Sequence, residues 1–231
     1  KQVVVLLDGK YWGVYDFMEK ITEHFVAERF HLSNPKSVDL LFGNGNQNCV
    51  LAGNGWQDYT DMVEWAGSHD LSDSANYDHI CTMMDTENYA TYVAAEIIVG
   101  NTDSANIKYW RSAEYDNKWR WIFYDFCWAM NANDKKEVQW TSGYRRDFFS
   151  RYFDPEGHGS GKAASTVLIR ALLGNASFRQ MFLEKTALMI NDVYSPEKIN
   201  AMVDRLEGNI AEEMKYDVDI WDNLNYTSWQ Q

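Results

Sequence analysis

Apolar positions along this chain follow two rhythms, alternation first and helical spacing later. Residues 2–7 (QVVVLL) and 11–17 (YWGVYDF) flank Asp8-Gly9-Lys10. Asp-Gly between two β-forming runs is a strong hairpin signal. Ile21, Phe25, Val26 and Phe30 then recur at helical spacing until Pro35 breaks the pattern. Val38 to Phe42 predicts a strand, ended by Gly43-Asn44-Gly45-Asn46. Cys49 to Ala52 is its expected return strand, with Gly53-Asn54-Gly55 as the next turn. Trp56 to Ala66 predicts a helix with Tyr59, Met62, Val63 and Ala66 on one side, and Ser68 to Asp78 reads as a polar linker. Asp85 is placed to cap an apolar helix over Tyr89 to Val99, in which Glu96 is embedded.

The stretch Gly100 to Asn131 carries the candidate chemistry. A polar turn holds Asp103 and Asn106, three apart, and a short hairpin follows from Ile107–Trp110 and Trp119–Tyr124, turning at Tyr115-Asp116-Asn117. Asp125 ends the second, aromatic strand. A carboxylate there is out of place as core, because burying it unpaired costs several kcal/mol on the order of a lost ion pair. Its expected partners are a cation or a basic side chain such as Arg111 or Lys108. If Asp103 and Asn106 face Asp125, the three make an oxygen-rich pocket suited to a hard cation such as Mg2+. The plainer reading of Asp103 and Asn106 is a turn capping its own backbone.

Beyond the hairpin, Asn133 to Gln139 is polar and Gly157 to Gly161 reads as a flexible loop. Helices are expected over Ser165 to Leu173, Ser177 to Val193 and Pro196 to Met214. In the second of these, Phe178, Met181, Phe182, Lys185, Leu188 and Met189 form the stripe expected to face the core. Strands in the first half and helices at the end predict an α+β fold rather than βαβ alternation. A chain of 231 residues is read as a single domain over 1–231. It opens within a strand and without Met, so a segment of a longer protein is expected.

The net charge of −13 makes a nucleic-acid partner unlikely on electrostatic grounds. Ten Trp among 15% aromatic residues suit an aromatic core, a carbohydrate-binding surface, or both. Three cysteines, Cys49, Cys81 and Cys127, show no CxxC spacing, so a structural zinc site is not expected. No run approaches the length of a membrane span.

Several ordered blocks carry a family resemblance. LLDGKYWGVYDFMEKI, MDTENYATYVAAEIIVGNTDSANIKYWR, KWRWIFYDFCWAM and ALLGNASFRQMFLEKTALMI together resemble the CotH family, the spore-coat-protein-H type of atypical kinase. The resemblance implies a kinase-like fold whose N-terminal lobe is cut short in this chain, with ATP and Mg2+ as cofactors. It makes Asp103 the catalytic-loop aspartate, Asn106 the metal-binding asparagine and Asp125 the second metal ligand. It further implies a protein substrate or a surface or coat protein as partner, in an extracellular, cell-surface or spore-coat setting. On that footing, alternation places Trp119, Trp121, Phe123 and Asp125 on one face, with Trp119 stacking on the adenine and Glu19 meeting its edge.

Two departures stand out. The position two after Asp125, often a second aspartate in the family, is Cys127, and the upstream phosphate-pairing lysine has no candidate. A thiol is a poor Mg2+ ligand. A catalytically degenerate pseudokinase serving surface assembly, or an extracellular carbohydrate-binding module, are therefore the alternatives to an active kinase.

Overall fold

A computed structural model describes residues 1–43, 49–101, 106–126, 129, 147–156 and 166–221. The contacts divide the chain into two compact units, Lys1–Lys20 with Asn191–Gln231, and Ile21–Ile190.

In the first unit β1 (Gln2–Leu7) and β2 (Lys10–Asp16) form the antiparallel hairpin expected from Asp-Gly. Asp8 and Gly9 both take positive φ, as a tight two-residue hairpin turn requires. The long helix α8 (Pro196–Ile220) packs on this hairpin. It runs well past the Met214 boundary read from sequence. The Tyr11 hydroxyl donates to the Glu213 carbonyl at 3.2 Å, and the Val14 N–H donates to Asp217 Oδ1 at 2.7 Å. Gly13 permits this approach: its φ is +129°, and an added Cβ would stand 2.6 Å from Asp217 Oδ1.

The second unit is built on a four-stranded antiparallel sheet, ordered β4-β3-β5-β6. Its strands are β3 (Val38–Phe42), β4 (Cys49–Ala52), β5 (Lys108–Ser112) and β6 (Arg120–Ile122). One face carries Val38, Leu40 and Trp110 against Val26 of α1 (Glu23–Arg29), with Phe25, Phe30 and Ile122 packed around them. The other carries Tyr109 and Trp121, which meet Tyr59 of α2 (Trp56–Ser68) and Tyr89 of α4 (Thr86–Val99). Tyr59 stacks on Tyr109 with ring centroids 4.1 Å apart. Replacing a buried ring such as Trp110 by Ala would cost about 3–5 kcal/mol.

Nine of the fourteen residues of α4 are buried, which makes it the central helix of this unit rather than an amphipathic cover. It packs on α7 (Ala176–Leu188) and β6, while α2 packs on α6 (Val167–Leu172). A short α5 (Phe148–Phe153) lies against α4 and α6. A five-residue π-helical turn, Met189–Val193, follows α7.

Two expectations are corrected. The polar linker over Ser68 to Asp78 contains the start of a helix, α3 (Ser74–Met83), capped by Asp73, whose side chain accepts the Ala75 N–H at 2.8 Å. The stripe on α7 buries Phe178, Phe182, Thr186 and, just past its end, Met189, but Leu188 is 55% exposed. The segments 133–139 and 157–161 lie outside the described residues.

Candidate functional site

The site grows from the two ends of the segment that joins α4 to the β5–β6 hairpin. Asp85 caps α4 by accepting the Asn88 N–H at 2.9 Å, as the sequence indicated. Gly100 closes the helix in the left-handed conformation, φ 62°, with its N–H on the Glu96 and Ile97 carbonyls. An added Cβ there would meet the Phe148 ring at 3.0 Å, so α5 fixes the point where the chain leaves the helix. Asn101 follows, buried, its N–H on the Glu96 carbonyl at 3.2 Å. Asp103, the expected catalytic aspartate, lies outside the described residues, as does Cys127.

Asn106 enters β5 next to the sheet, where the Gly43 N–H holds the Ile107 carbonyl at 3.0 Å. On the returning side β6 ends at Ile122, and Asp125 takes φ +60°. Left-handed backbone at a non-glycine residue is uncommon, though Asp and Asn bear it best. Alternation continued past Ile122 would have sent Asp125 to the Trp121 side. The change of backbone conformation turns its carboxylate to Asn106, whose Nδ2 donates to Asp125 Oδ2. The Tyr124 hydroxyl donates to Asn106 Oδ1, and the Lys108 Nζ stands 4.2 Å from the centroid of the Tyr124 ring. So Asn106 and Asp125, named from sequence as metal ligands, are brought into contact.

Trp119 is placed otherwise than expected. It is 1% exposed, with the Arg111 guanidinium 4.9 Å from its centroid and the rings of Tyr59 and Tyr109 edge-on to it. It touches the floor of a cleft of about 310 Å³ lined also by Asp58, Trp65 and Asn117, but offers no open face on which a base could stack. Alternation showed which residues share a face, not which face is open. Glu19 is an exposed residue after β2, in the first unit, whereas Asn106 and Asp125 belong to the second.

The sequence reading undervalued three groups. Glu96 is 2% exposed, and its carboxylate acts electrostatically on Tyr92 and on Tyr152 of α5. Burial, with the Glu96 charge adding to it, pushes both tyrosines well above their ordinary range, so both stay protonated. The other two are Tyr124 and Lys108. Their signal was available, because each is next to, or two residues from, a named ligand.

Asp39 and Asp58 take the Arg111 guanidinium, the former on Nε at 2.9 Å. Arg111 is thereby assigned to those acids, not to Asp125 as one reading had it. Among the described residues no three acidic, histidine or cysteine side chains gather as a metal cluster. Likewise, among the described residues no helix is long and apolar enough to cross a membrane.

Compared with protein families, the chain matches one described as CotH kinase protein over residues 1–231, its whole length. No curated protein matches significantly. The mixed α+β architecture and the family match together agree with the kinase-like fold that the sequence blocks implied.

Proposed function

The chain belongs to the CotH family, and from that premise we propose an ATP- and Mg2+-dependent kinase-like domain that moves a phosphoryl group onto a hydroxyl of a protein. The observation that carries this reading is the contact of Asn106 with Asp125, made by residues 19 apart through a left-handed turn of the backbone. Backbone strain of that kind gathers at functional sites.

The donor set fits a hard divalent cation, since both side chains offer oxygen. Asp125 would hold it by its carboxylate and Asn106 by its amide oxygen. When bound, Mg2+ neutralises charge on the phosphates and the transferring group. The chain's own residues supply the rest. The Asn106 amide donates to the carboxylate and accepts from Tyr124. Turned over, the same amide presents its oxygen towards Asp125 and its NH2 to the Tyr124 oxygen, which can accept as well as donate. Tyr124 thus keeps a partner in both settings. Asp103 is proposed to orient the acceptor hydroxyl and take its proton. The acceptor is proposed to be a surface or coat protein, in the extracellular or spore-coat setting the family resemblance suggests.

A second reading rests on Cys127, two residues after Asp125, where a thiol contributes little to Mg2+. In that reading the fold binds nucleotide without turnover and serves assembly. Calorimetric titration of the full chain with ATP, with and without Mg2+, tests the first claim. Heat only with Mg2+, lost in Asp125→Asn, is the expected result. Absence of heat in both conditions would end it. If ATP binds but no phosphate passes to any protein, the assembly reading holds instead.

A further inference from the structure

Phosphoryl transfer asks for a side-chain cation on the phosphate chain as well as a metal site, and the sequence blocks supplied none. We propose that Lys108 is that cation and holds a phosphate oxygen of the nucleoside triphosphate. This rests on the nucleotide reading given above.

Four observations converge on it. Lys108 opens β5, two residues after Asn106, and pairs across the sheet with Ile122 of β6 and Phe42 of β3. Its ammonium lies 4.2 Å from the centre of the Tyr124 ring, the Tyr124 hydroxyl reaches Asn106, and the Asn106 amide reaches Asp125. Ammonium, phenol, amide and carboxylate therefore form one continuous line of contacts. Lys108 is half-buried, desolvated enough to strengthen a charge-assisted contact and still reachable. Finally, Arg111 contacts Asp39 and Asp58 and Arg120 contacts Asp85 and Asp116, so Lys108 is the basic side chain of the hairpin strands that stands in the line to Asn106 and Asp125.

An ammonium on a flexible four-carbon stem binds phosphate as a compact point charge with three donors. Held over an aromatic face, with its stem between strand neighbours, it loses less freedom on binding than a solvent-borne lysine would. The Tyr124 ring is in this sense a rest for the ammonium, and its hydroxyl ties that rest to the metal ligands.

The test titrates the full chain with MgATP and, separately, with adenosine, for wild type, Lys108→Met and Lys108→Arg. Thermal unfolding of each is followed alongside. Lys108→Met, which keeps an unbranched apolar stem, should weaken ATP by about 10–100-fold and leave adenosine unchanged. Lys108→Arg, which keeps the charge, should stay within about threefold of wild type for ATP. If Lys108→Met binds ATP like wild type, or loses ATP and adenosine in equal measure, the assignment fails while the nucleotide reading stands. Should the methionine variant not fold, an arginine variant that folds yet loses ATP by more than tenfold overturns it, and one that keeps ATP supports it. If wild type itself binds no ATP, both the assignment and the reading beneath it fall.

Discussion

The two ends of the β5–β6 hairpin handle acidic side chains in opposite ways. At the closed end the acids are matched by guanidinium. Arg120 takes Asp85 on Nε at 3.0 Å and grips both oxygens of Asp116, at 2.6 and 2.5 Å, while lying over Trp110 and Tyr115. Such planar, bidentate pairs fix geometry and resist exchange. At the open end Asp125 meets a carboxamide, which can reverse its polarity by turning over. The first arrangement is finished, and the second can trade a donor for an acceptor when a charge arrives. The difference teaches that an acid's partner says more about its role than its burial does.

The comparison breaks most readily at Arg120. Arg120→Ala leaves the half-buried Asp85 and the exposed Asp116 without the buried guanidinium and removes its stem from Trp110 and Tyr115, and should lower the unfolding free energy by about 2–3 kcal/mol in a denaturant melt. A near-neutral result would mean that the closed end is not structural. Asp125→Asn is expected to divide the other way. Asparagine tolerates left-handed backbone, so stability should move by less than about 0.5 kcal/mol, while Mg2+-dependent ATP affinity falls by roughly 100-fold. A stability loss as large as that of Arg120→Ala would place Asp125 with the structural acids. Asp85→Ala removes the cap of α4 and one arm of Arg120, with an expected cost of about 1–2 kcal/mol, read from the shift of the melt midpoint.

The smallest effect is in the pH dependence. The hydrogen bond from Arg120 holds Asp116 below its ordinary carboxylate value of 3.8, against the opposing effect of burial. A depressed folded-state value means stabilisation that is fully present above 3.8 and lost as pH falls through the lower folded-state value. Melts of wild type and Asp116→Asn should therefore converge below that range and separate above it. Parallel curves would show that the ion pair contributes nothing.

How much of this was legible depends on what each signal encodes. β3 emerged at Val38–Phe42 as expected because its apolar run agrees with burial on both faces and an Asn/Gly cluster follows it in the sequence. α4 was legible from Asp85 and an apolar run. α3 was not, because only Ile80 of its ten residues is buried and its start depends on the Asp73 cap, leaving almost no periodic pattern. At the site, the hairpin reading set Asn106 opposite Asp125, and the two side chains do meet. The left-handed turn that joins them was invisible, since no residue type other than glycine announces a positive φ. The packing around Trp119 was invisible for another reason: the neighbours that close over the ring, Tyr59 and Arg111, lie 60 and 8 residues away in the chain. Glu96 could be placed within the apolar helix but not given its surroundings, because Tyr152 on α5 is remote in sequence.

The unit assembled from two separate stretches of sequence has a consequence for how the protein is made. Its hairpin leaves the ribosome ahead of Ile21–Ile190, and α8 emerges only after that stretch has been synthesised, on the order of ten to thirty seconds later. A two-stranded ribbon by itself is marginal in water. Tyr11 and Val14, which meet α8 in the fold, must therefore wait in an unsupported ribbon. The stretch between can be complete while the hairpin still lacks its helix, and holding chaperones have their opening in that interval.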